Sequence, residues 1–128
     1  MKEFTLLIIK QNNKFLMKYD KSWDMYMLPY FKSDISYEDI KKSLSNEFNI
    51  DIKDIELNLY GQNEVTKASK YDNKERHYKH TFVEVDIRDN IIIPNEYKFM
   101  SLNELKTDKN TVIYNYDVLN MLISYDMC

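Results

Sequence analysis

Ser43, Asn46 and Glu47 stand three and four positions apart, so on a helix they would share one face. A hard divalent cation prefers charged oxygen ligands. Only Glu47 of the three is a carboxylate. Asp39, one turn ahead of Ser43, could approach the same face and add a second negative charge. An ordinary amphipathic helix with a solvated polar face accounts for Ser43 and Asn46 without any site.

Two further groups of residues have chemical potential. His77 and His80 fall in a strand-like stretch, where their odd separation directs them to opposite faces and disfavours a shared zinc ion. Each alone could serve as an acid or base, although a half-exposed strand histidine is the commoner case. Trp23, Tyr26, Tyr30 and Phe31 cluster just before the helix. A flat base stacking on such rings gains about 1–3 kcal/mol. The same rings could instead fill the cleft, and core packing is the simpler role for Trp23.

Positioning these residues requires a mixed order of elements. Thr5 to Ile9 is an apolar run suited to a buried strand, and Phe15, Met17 and Tyr19 alternate with polar neighbours after a turn at Gln11-Asn12-Asn13, which predicts a hairpin. Met25 to Leu28 predicts a short extended piece ended by Pro29. Ser36 opens an S-x-x-D cap, and Ile40, Leu44 and Phe48 recur at four-residue spacing, which predicts a helix from Tyr37 to Phe48. Asn49 then suits the left-handed position that ends a helix. Beyond it, Ile55 to Leu59, Val65, His77 to Ile87 and Tyr97 to Met100 read as extended, with a polar loop over Lys67 to Arg76. Ser101 to Glu104 forms another capping box, and Val112, Tyr116, Leu119 and Ile123 predict a closing amphipathic helix.

The stretch from Leu28 to Ile50 resembles the Nudix hydrolase signature, G-x5-E-x7-R-E-U-x-E-E-x-G-U with U a bulky aliphatic residue. Leu28-Pro29-Tyr30-Phe31 stands where the family has its paired glycines, a shortened loop follows, and Tyr37 to Ile50 carries the remainder. Trp23 to Pro29 is similar to the W-x-LP lead-in of such domains, and Tyr97 to Leu105 to their late aromatic strand and turn. The resemblance implies an α/β (α+β) fold: a mixed β-sheet sandwiched between the signature helix and a C-terminal helix. It also implies water attack on a nucleoside diphosphate linked to another moiety, with Mg²⁺ or Mn²⁺ held by three glutamates.

Anchored on Leu44, Glu47 and Ile50, the alignment puts Lys42 at the motif arginine and Ser43, Asn46 and Glu47 at the three glutamates. One carboxylate of three remains. Losing even ~1.4 kcal/mol of metal affinity per missing carboxylate is tenfold, so two losses weaken the site about a hundredfold or more. Lysine at position 42 also lacks the planar fork with which arginine grips a carboxylate. The resemblance thus leaves Glu47 and Lys42 as residual catalytic positions, Glu47 with Asp39 as a weak metal site, and Trp23, Tyr30, Phe31, Ser43 and Asn46 as a ligand cleft.

Composition narrows the remaining possibilities. A chain of 128 residues with 44% hydrophobic content suits one domain spanning residues 1–128. The formal net charge of −3 gives no global attraction for nucleic acid, and no apolar run is long enough for a membrane span or a signal peptide. A single glycine, Gly61, excludes P-loop and dinucleotide-binding glycine cradles. The abundance of Tyr, Lys, Asn and Ile is what A/T-rich codons alone would produce. The lone cysteine, Cys128, offers no internal disulfide and fits a cytoplasmic protein. Three readings follow: a non-catalytic or severely weakened Nudix-like protein binding a nucleotide-like ligand or a protein partner; an active hydrolase using Glu47 with atypical acids and Mg²⁺ or Mn²⁺; and an interaction module with a closed cleft. No tightly bound cofactor is expected, and a homodimer is compatible with the resemblance.

Overall fold

The computed structural model describes residues 1–127; the lone cysteine, Cys128, and the readings drawn from it lie outside the described residues. Strand β1 (Lys2–Gln11) is the central element, with Leu6 and Ile8 buried on one sheet face and Leu7 and Ile9 on the other. Burial on both faces explains why its apolar run is continuous rather than alternating. Asn12 and Asn13, both at positive φ (51° and 63°), make the tight turn into β2 (Lys14–Asp20). Two left-handed residues in a row match the twist of a hairpin, and asparagine tolerates that conformation best after glycine.

From this hairpin the sheet extends both ways. Strand β2 pairs antiparallel with β3 (Met25–Met27) and with β7 (Tyr97–Ser101), while β4 (Tyr30–Phe31) pairs antiparallel with β1. Strand β6 (Glu75–Ile87) runs parallel to β1, and β5 (Ile55–Ala68) lies antiparallel beyond it, giving the order β3-β2-β1-β6-β5. The two extended pieces expected at Ile55 and Val65 are one strand, interrupted only by a bulge between Leu59 and Gly61. Lys67, Ala68, Glu75 and Arg76, expected in a loop, belong to this β5–β6 ladder. Cross-strand pairing supplies there what local sequence does not show.

Helix α1 (Tyr37–Phe48) has the expected bounds. Ser36 accepts a hydrogen bond from the Asp39 N–H, and Ile40, Leu44 and Phe48 are buried with Leu7, Ile9, Val83 and Val85. Asn49 ends the helix at φ 53°, ψ 51°. Replacing Asn49 with alanine should cost about 1 kcal/mol, the usual penalty for a Cβ in the left-handed region, while glycine is tolerated. Thermal melts of the two variants check this; equal melting temperatures would show that the cap is not strained.

The opposite sheet face is covered by the C-terminal helices. Helix α2 (Leu102–Thr107) starts with the expected capping box of Ser101 and Glu104 and buries Leu105. The expected closing helix is two helices, α3 (Lys109–Tyr114) and α4 (Tyr116–Asp126), which meet at Asn115. The expected face holds in part: Leu119 is buried and Ile123 packs against the core, but Val112 and Tyr116 are exposed, and Asp117, Val118 and Leu122 are buried beside Leu119. The architecture is nonetheless a mixed sheet between α1 and the C-terminal helix. No described helix is long and apolar enough to cross a membrane.

Candidate functional site

A cavity of about 420 Å³ opens on the α4 side of the sheet. Its base comes from β1 and β6: parallel pairing sets Lys2 beside Tyr78, Phe4 beside His80 and Leu6 beside Phe82, with their side chains on one face. Trp23, from the β2–β3 turn, and Tyr30, on β4, supply further aromatic wall. The rings meet edge to face, Phe4 with Tyr30 at 5.6 Å between centroids and Trp23 with Tyr114 at 6.4 Å.

A single carboxylate fixes both Trp23 and Tyr30. Asp20 Oδ1 accepts from the Ser22 and Trp23 N–H groups, each at 3.0 Å, and from the Ser22 hydroxyl at 2.7 Å. Its other oxygen accepts from the Tyr30 hydroxyl at 2.5 Å. Burial alone would raise the Asp20 carboxyl, but these donors outweigh it and hold the group below the usual carboxylate range. Burial, and then Asp20 itself, push the Tyr30 hydroxyl well above its ordinary value.

Among the described residues, four cationic side chains, Lys2, Lys32, Lys67 and Arg76, line the cavity, and no acidic side chain does. Lys67 is only 7% exposed. Its ammonium donates to Asn115 Oδ1 at 2.6 Å and to Asp117 Oδ1 at 2.7 Å, and lies 5.6 Å and 5.9 Å from the ring centroids of Tyr78 and Trp23. Burial pulls this ammonium down from its ordinary value, while Asp117 opposes the shift. Burial would likewise raise the Asp117 carboxyl, but His80 and Lys67 together hold it low. His80 Nδ1 stands 3.0 Å from Asp117 Oδ2 without the alignment of a well-directed hydrogen bond.

The residues singled out on α1 stand elsewhere. Lys42, Ser43, Asn46, Glu47 and Asp39 are exposed, and none of them lines the cavity. Lys42 forms an exposed pair with Glu38 at 3.2 Å. Glu47 stands beside the Tyr97 hydroxyl, which burial first, and then the Glu47 charge, push upward. Phe31 packs with the α1-side core, on the opposite face from its neighbour Tyr30. Of the expected cleft residues, the fold therefore brings Trp23 and Tyr30 together and leaves Phe31, Ser43 and Asn46 apart from them. Of Ser43, Asn46 and Glu47, only Glu47 offers an anionic oxygen to a cation such as Mg²⁺ or Mn²⁺. No cluster of three or more His, Cys, Asp or Glu among the described residues could hold a metal.

The histidines divide as their spacing requires. His77 meets Thr66 Oγ1 at 3.0 Å and Glu64 at 3.3 Å on the exposed face, whereas His80 is buried at the cavity. Lys67, Asn115 and Asp117 carried no signal in the sequence. Lys67 fell in an expected loop, and Asp117 in a helix whose pattern did not mark it for burial.

No protein-family model and no curated protein matches the chain. Solved structures do. The Ap4A hydrolase of C. elegans superposes with a TM-score of 0.61 at 12% identity, over 99% of this chain and 97% of that one. A UDP-X diphosphatase gives 0.59 at 13% identity, over 98% of this chain and 63% of that one. RenU, a Nudix hydrolase from M. smegmatis, gives 0.53 at 11% identity, over 96% and 86%. At such identities the likeness is one of fold: the chain has the Nudix fold.

Proposed function

We propose that the protein binds a nucleotide-like ligand in the α4-side cavity without a metal ion, and that its α1 box is catalytically silent or severely weakened. The observation carrying this reading is the lining itself, with aromatic walls and four cations but, among the described residues, no acidic side chain. Aromatic faces accept a base, cations accept phosphate, and the volume falls within the range of small-molecule sites. Two structural neighbours are named for Ap4A and UDP-X, which favours a nucleotide over other aromatic anions. The weakened box follows from the chemistry of Ser43, Asn46 and Glu47, which offer one negative charge where a Nudix metal site has three.

The test is thermal unfolding with a panel of nucleosides and nucleotides in EDTA. A ligand present at about 100 times its dissociation constant stabilises the native state by ~2.7 kcal/mol, a shift of several degrees in a domain of this size. Stabilisation should persist when the divalent ions are chelated. Absence of any shift across the panel overturns the binding reading. Turnover of a nucleoside diphosphate derivative that disappears in Glu47→Gln overturns the silent box.

A further inference from the structure

We infer that Lys2 and Lys32 form a metal-free site for a single phosphate monoester at the mouth of the cavity, so that the ligand enters ring first and leaves its phosphate between these two lysines. The inference rests on the proposed nucleotide reading and adds the ligand's polarity and charge class to it.

The four cations of the cavity are not equivalent. Lys67 is buried and committed to Asn115 and Asp117. Arg76 makes a two-pronged pair with Asp72, which neutralises its charge. Lys2 and Lys32 are exposed, and neither has an ion-pair or hydrogen-bond partner among the described residues. The positive charge available to a ligand is therefore at the mouth, while the deep wall is closed by an internal ion pair.

The cavity lining brings the two lysines to one place. Thr5 pairs with Phe31 and Leu6 with Tyr30 across β1 and β4. Lys32 directly follows β4, two residues after Tyr30, and Lys2 stands two residues before Phe4 on β1; both lysines line the one cavity with Phe4 and Tyr30. Sharing one cavity wall, the two flexible side chains can be directed onto one phosphate. Their two positive charges match the roughly −1.5 to −2 of a phosphate monoester at neutral pH. No third free cation or metal is needed for balance. Phe4 lies between them and meets Tyr30, so the phosphate site is continuous with the aromatic walls.

The experiment is calorimetric titration with four nucleosides and their 5′-monophosphates in EDTA, on the full chain and on Lys2→Gln/Lys32→Gln and Lys2→Arg/Lys32→Arg double variants. At least one monophosphate should bind about tenfold or more tighter than its nucleoside. The glutamine variant should reduce that advantage to less than about threefold, and the arginine variant should retain it. Raising the salt should erode the advantage in the full chain. Equal affinity of nucleoside and monophosphate, an advantage that survives in the glutamine variant, or one that requires Mg²⁺ overturns the phosphate site alone. Failure of every nucleoside and nucleotide to bind sinks the cavity reading with it.

Discussion

Lys67→Ala should destabilise the protein by about 3–5 kcal/mol, because truncating one partner of a buried ion pair leaves the other charge uncompensated. Asp117 is 8% exposed and receives the Lys67 ammonium at 2.7 Å, so its carboxylate would lose its principal countercharge in a site that water reaches poorly. For a domain with a typical total stability of 5–15 kcal/mol, that is a large fraction. Lys67→Met combined with Asp117→Leu removes both charges and should recover most of the loss, since an apolar pair of similar volume needs no compensation. Urea unfolding of the three proteins provides the numbers. A loss below about 1 kcal/mol in Lys67→Ala would mean that Asp117 is neutral or hydrated, contrary to the geometry.

Acid should act on the same pair with a definite sign. The Asp117 carboxyl is held below its ordinary value in the native state, so the unfolded chain binds the proton more readily. Its contribution is therefore fully present above the usual carboxylate range and lost as the pH falls through the depressed native value. In Lys67→Ala that contribution shrinks, so the loss of stability on acidification should be shallower and should finish at higher pH.

How far the sequence revealed this protein depends on the range of the interaction concerned. Helix α1 was readable because its signals are local: Ser36 caps it, Ile40, Leu44 and Phe48 repeat on one face, and Asn49 stops it. The division of His77 from His80 was readable for the same reason, since side-chain alternation is intrinsic to a strand. Asn115 was not readable as a break, because the apolar residues on either side of it continue a plausible helical rhythm. Lys67 could not be recognised as part of a site, because its partners lie 48 and 50 positions further on and only the completed sheet brings them together. The cavity itself is assembled from β1, β4, β6 and the β2–β3 turn, so no single stretch announces it. Trp23 and Tyr30 are near neighbours in sequence, but what joins them is Asp20, whose oxygens bond to both.

Restoring the two absent carboxylates gives the second large effect. Ser43→Glu/Asn46→Glu should raise Mn²⁺ affinity about a hundredfold or more over the wild type, at ~1.4 kcal/mol or more per added carboxylate. The helix already supplies the geometry: residues 43, 46 and 47 are three and four apart, all three are exposed, and new side chains there displace nothing from the core. Three like charges on one helix repel each other, so the variant should be less stable without metal and regain stability when Mn²⁺ binds. Calorimetric titration of Mn²⁺ into both proteins, paired with melts in EDTA, checks both halves of this expectation. If the triple-carboxylate helix binds Mn²⁺ no better than Glu47 alone, charge at positions 43 and 46 is not what limits metal binding on α1. The defect would then lie in the shortened segment before Tyr37, where Tyr30 and Phe31 occupy the glycine positions of the Nudix signature.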